Sequence, residues 1–135
     1  MKVTGIIEKG SDNRYSIICN EEIGNFCLGG FGDTLDEAKA DFLEVIEDAK
    51  QTYQSDHGTL PEELSDVTVE YKYDLQSFFA YFDWINISKF AQVAGVNESK
   101  LRLYKVGKAF AGERTKGKIQ SAIRRMSAEL ASASL

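Results

Sequence analysis

The chain has 135 residues, 43% hydrophobic and 11% aromatic, which is enough apolar surface for a packed core and excludes a disordered chain. No apolar run approaches the ~20 residues of a membrane span, and Met1 to Gly10 alternates polar and apolar residues around Glu8, unlike a secretion signal. The net charge of −5 conceals a division: residues 1–74 carry 6 Lys and Arg against 17 Asp and Glu (−11), and residues 75–135 carry 10 against 4 (+6).

Opposite charge on two halves predicts two modules with different partners. A basic module attracts phosphates and gains from counterion release, whereas an acidic one repels them and suits a basic partner. The expected boundary follows Asp74. Cys19 and Cys27, with no secretion signal before them, read as reduced core thiols of an intracellular, cytoplasmic protein rather than as a disulfide.

Val3 to Glu8 and Tyr15 to Cys19 are β-branched stretches separated by the turn formers Gly10-Ser11-Asp12-Asn13, the pattern of a β-hairpin. Asn25 to Phe31 is expected as a third strand despite its two glycines. Thr34-Leu-Asp-Glu37 has capping-box spacing and marks a helix start. Leu35, Ala38, Phe42, Val45, Ala49 and Tyr53 then recur on one helical face, until Gly58 and Pro61 stop the helix. Val67, Val69, Tyr71 and Tyr73 alternate with polar residues, as a strand with one buried face does.

After Asp74 the period becomes helical. Leu75 to Phe82 carries Phe78, Phe79, Tyr81 and Phe82, a core stripe rather than a base-stacking platform, because no basic residue is interleaved with it. Ile87 to Ala94 and Glu98 to Lys105 are two short helices around Gly95-Val96-Asn97. A last amphipathic helix runs from about Glu113 to Ala131, with Ile119, Ile123, Met126 and Leu130 inward. The expected fold is therefore α+β: a β-β-β-α-β module, then an all-helical one.

Ile87 to Val106 has the spacing of a helix-turn-helix. Ala91 is small where two helices cross, Gly95 supplies the left-handed turn, and Phe90, Ala94, Val96, Leu101 and Tyr104 lock the pair. The outward residues of the second helix are then Asn97, Glu98, Ser99, Arg102 and Lys105, with apolar Leu103 near the same face. Such residues meet base edges in the major groove. Arg102 suits a guanine edge, Asn97 an adenine or a phosphate, and Glu98 a cytosine amino group. Lys100, Lys105, Lys108, Arg114, Lys116 and Lys118 suit phosphates, which position without specifying.

The opening Val3-Thr-Gly-Ile-Ile-Glu8, the stretch Arg14-Tyr-Ser-Ile-Ile-Cys19 and the helix start Gly32-Asp-Thr-Leu-Asp-Glu-Ala38, followed by a helix-turn-helix, resemble the HicB antitoxin family over about residues 2–130. The resemblance implies a partial RNase H-like N-terminal domain that occludes a small basic RNA-cleaving toxin of the HicA kind. It also implies a C-terminal domain that represses its own operon. The partners implied are operator DNA, the toxin, and a second copy in a homodimer or higher homo-oligomer; no cofactor and no membrane are implied.

Enzyme readings find little in the residues. Two-metal nucleases need clustered carboxylates on adjacent strands. Here the strands offer only Glu8 and Glu70, and the remaining acids follow the helix at Asp36, Glu37, Asp41, Glu44, Glu47 and Asp48. His57 reads as an exposed helix-terminal residue. Gly29-Gly30-Phe31-Gly32, followed by Asp33 and no lysine, reads as a tight strand-to-helix turn rather than an anion cradle.

Overall fold

The computed structural model describes residues 1–24 and 26–135. They form two compact units, Met1–Ser77 and Phe78–Leu135. The first holds β1 (Lys2–Lys9), β2 (Tyr15–Cys19), β3 (Gly29–Gly32), α1 (Leu35–His57), a short α2 (Glu62–Ser65) and β4 (Thr68–Tyr73). The helix α3 (Leu75–Tyr81) crosses the division, and α4 (Ile87–Ala94), α5 (Glu98–Lys105) and α6 (Glu113–Ser132) complete the second.

The sheet order is β3-β2-β1-β4. β1 and β2 are antiparallel with Ile7 opposite Ile17, β2 and β3 antiparallel with Ile17 opposite Gly30, and β1 and β4 parallel with Val3 opposite Val69. Alternation sends Val3, Ile7, Ile17 and Cys19 to the buried face. α1 covers that face with Leu35, Ala38, Phe42, Ile46 and Ala49. Full burial of Phe42 and Ile46 alone contributes about 3–6 kcal/mol. Val45 and Tyr53, expected on the inner stripe, are only partly buried at its margin, and Ile46 takes the central place.

The helix begins as its sequence predicts. Thr34 Oγ1 accepts the Glu37 amide at 3.1 Å and Glu37 reaches back to the Thr34 amide at 3.3 Å. It ends at Gly58, whose φ of 77° is left-handed.

The glycine-rich segment differs from expectation. Asn25 lies outside the described residues, and the third strand is the short Gly29–Gly32 itself rather than a run from 25 to 31. Its glycines are there for close packing, not for a turn. A Cβ on Gly30 would stand 2.5 Å from the Phe42 amide nitrogen, and one on Gly32 would stand 2.6 Å from that of Ala38. The backbone of α1 therefore rests directly on the backbone of β3, which only glycine permits. Asp41 adds a hydrogen bond from the Phe31 amide at 2.8 Å.

The boundary also moves past Asp74. The Asp74 carboxylate accepts the Ser77 amide at 2.6 Å, and the buried Ser77 hydroxyl accepts the Lys9 amide at 3.0 Å, tying the first turn of α3 to the first unit. The two cysteines are free; Cys19 is buried, but Cys27 is exposed rather than a core thiol. Burial pushes the Cys19 thiol above its ordinary range. Among the described residues no helix is long and apolar enough to cross a membrane.

The second unit packs Phe79, Ile87, Phe90, Leu101 and Ile119 in its centre, with Phe79 and Phe90 edge-to-face at 5.6 Å between ring centroids. α6 buries Ile119 and Ala122; Leu130, expected inward, is 61% exposed.

Candidate nucleic-acid interface

α4 and α5 are short helices whose ends are closed by their own residues. Asn86 Oδ1 accepts the Lys89 amide at 3.0 Å and Asn97 Oδ1 accepts the Lys100 amide at 3.1 Å. Each N-cap is worth roughly 1 kcal/mol. At the other end of α4, Gly95 adopts φ 68° while its amide donates to Gln92 and that of Val96 donates to Ala91. The same closure ends α5: Gly107 sits at φ 77°, its amide bonds Tyr104, and the Lys108 amide bonds Leu103. Both are Schellman motifs, which consume carbonyls that would otherwise lack partners. Phe90, Ala91, Ala94, Leu101 and Tyr104 are buried between the helices.

On α5 the buried residues Leu101 and Tyr104 face inward, so the opposite side carries Ser99, Arg102, Leu103 and, at its end, Val106. Leu103 is 42% exposed and Val106 54%. Arg102 lies across this surface: Nε is 3.8 Å from Glu98 Oε2, and an Nη2 hydrogen bond reaches Ser88 Oγ at 3.3 Å. The first turn of α4 thereby joins the same face.

The seven residues expected to contact DNA are thus spread unequally. Ser99 is central on the outward face and Arg102 lies to one side of it. Glu98 is beside them, its charge offset by Arg102. Asn97 is exposed, but its side-chain oxygen is occupied by the cap. Lys100 and Lys105 flank the face, and Lys108 follows the end of the helix. The Asn97 cap was legible in the sequence as an Asn one residue before a helix; the residue missed is Val106, which the helical spacing from Ser99 and Leu103 would have found.

α6 brings further cations. Lys118 Nζ reaches the Gly95 carbonyl at 3.5 Å and Arg125 Nη2 the Val93 carbonyl at 3.2 Å, both at the C-terminal end of α4, where its dipole favours cations. With Arg114, Gly117 and Ser121 they line a depression beside Val93 and Ala94. Lys116 pairs with Glu113 at 3.6 Å.

The first unit offers carboxylates instead. Several serve the fold: Glu21 accepts the Thr4 amide at 2.7 Å, and Glu70 pairs with Lys2 at 3.1 Å. The Lys2 hydrogen bond and charge hold Glu70 below its ordinary value. Glu70 stands level with Thr4, so Glu8 is four register positions away, about 13 Å along the strands. No group of three His, Cys, Asp or Glu among the described residues could hold a metal ion. Asp36, Glu44 and Asp48 are exposed on α1, and the sheet face away from α1 exposes Ile18 (44%) and Phe31 (57%).

Comparison of the chain with protein-family models, with curated proteins and with solved structures finds no match.

Proposed function

We propose that this chain is a DNA-binding repressor whose acidic α/β unit binds and neutralises a small basic RNA-cleaving protein, the arrangement that its resemblance to HicB antitoxins implies. The observation that carries the DNA half is the α4–α5 pair: two helices with closed ends, a left-handed glycine between them, and Ser99 and Arg102 outward on a unit with a balance of +6. Capped helices with an apolar lock present a rigid second helix, as a major-groove reader requires. Acting as a dimer, two copies would meet half-sites ~34 Å apart.

The balance of −11 on the first unit and the exposed Ile18 and Phe31 on its open sheet face support a basic protein partner with an apolar contact at its centre. The departure of Cys19-Asn20-Glu21-Glu22 from the proline-rich stretch common in that family favours a second reading, a solitary regulator of the same fold.

Binding of the full chain to duplexes selected from a random pool, followed across salt, tests the DNA half. The expected affinity falls with a log–log slope of about −0.9 per phosphate contacted; a flat response would sink it. Purification from the native host tests the other half. A stoichiometric small basic protein whose RNA cleavage the chain suppresses is expected. Self-association alone would leave the solitary regulator.

A further inference from the structure

The outward stripe of α5 is not the polar surface that a base reader built only on hydrogen bonds would present. Ser99 and Val106 run down its middle, with Arg102 to one side and Leu103 to the other, and two of these four side chains are apolar and about half exposed. At about 100° per residue, Lys100 and Lys105 lie on opposite flanks, each about 110° from the middle of the stripe. The Schellman closure at Gly107 fixes Val106 at the end of this stripe instead of letting it fray.

A surface with a cation on each flank and apolar groups at its centre fits a trough with anionic walls and an apolar spot on its floor. The DNA major groove is such a trough. Its ~12 Å width admits one helix, and phosphates form its walls. Of the groups on its floor, only the thymine C5-methyl is apolar.

We infer that Leu103 and Val106 are specificity-determining residues that read thymine methyl groups, beside the base pair met by Arg102. This rests on the DNA-binding reading and adds to it the base class recognised. The ion pair of Glu98 with Arg102 leaves the apolar pair as the uncharged centre of the contact. A thymine methyl seated against Leu103 leaves water on both sides, whereas a cytosine there loses that contact and exposes its amino group to a side chain with no acceptor.

The test is selection of binding sites from random duplex DNA by the full chain and by Leu103→Ala, then replacement of each selected thymine by deoxyuridine, which removes only the methyl. The wild-type chain is expected to enrich thymine at one or two positions per half-site and to lose about three- to fivefold in affinity for each critical methyl removed. Leu103→Ala should bind thymine and uracil equally at the position Leu103 reads, while keeping its salt dependence. An enriched site to which wild type binds equally with thymine or uracil overturns this inference and leaves the DNA reading standing. Failure to enrich any sequence overturns both this inference and the sequence-specific DNA reading.

Discussion

Replacing Gly30 by alanine tests how closely α1 rests on the sheet. The added Cβ would lie 2.5 Å from the Phe42 amide nitrogen, and 2.6 Å from both its Cα and its Cβ. Carbon contacts are comfortable near 3.5 Å, so the helix must retreat by about 1 Å, and a gap of that size forfeits a quarter to a half of each dispersion contact beneath it. Flexible side chains cannot absorb the change, because the obstructing atoms belong mainly to the helix backbone. Overpacking costs about 1–3 kcal/mol, and a backbone clash belongs at the upper end. Restricting the unfolded chain returns about 0.5–1 kcal/mol, so the net loss is about 2–2.5 kcal/mol. For a unit of this size that is a fall of roughly 10–20 °C in Tm. Thermal unfolding followed by far-UV circular dichroism reads it directly, since α1 is the longest helix of the first unit. An unchanged or raised midpoint would refute the close approach.

Gly117→Ala should act in the opposite direction: it lies within α6, a Cβ there meets nothing within 4 Å, and the helix gains about 0.5–1 kcal/mol, visible as a raised denaturation midpoint. Arg102→Ala should weaken DNA binding by about 1–3 kcal/mol and relax specificity at one base pair. Equal loss on every sequence would make Arg102 a phosphate contact instead. Glu98→Gln should tighten binding on all sequences alike, because it removes a negative charge near phosphates; weaker binding restricted to one base pair would show Glu98 to be a base reader. Because the folded Glu70 value is depressed, its contribution to stability is complete above the ordinary value and is lost as pH falls through the lowered one. In Lys2→Ala the Glu70 titration followed by NMR should move upward, and an unmoved midpoint would remove Lys2 as the cause.

Period and capping make most elements legible in the sequence. The alternation of Val3 to Glu8, the capping box at Thr34 and the helical stripes of α4 and α5 are local signals, and local physics decides them. What was illegible depends on three-dimensional approach. Nothing near Gly30 in sequence announces Phe42 above it, so the pattern alone reads a strand partly as a turn. Leu130 carries the right spacing but stays 61% exposed. On the candidate interface, chain order favoured Asn97, whereas the angular position of each residue around α5 puts Val106 on the outward face. The cap that takes the Asn97 oxygen is itself a local rule, one that competes with a role at the DNA.

The parallel pairing of β1 with β4 sets a timetable for synthesis. β1, β2 and β3 are adjacent in the chain and can pair soon after Gly32 is made, but the other edge of β1 has no partner until Tyr73 follows. At ribosomal speeds of about 5–20 residues per second the nascent chain spends roughly 2–8 s with that edge open. An unpaired, apolar edge is a template for another strand. A chain cut short within α1 would therefore be expected to aggregate or to need a chaperone, and the last strand of the sheet is the step that makes the newborn first unit safe.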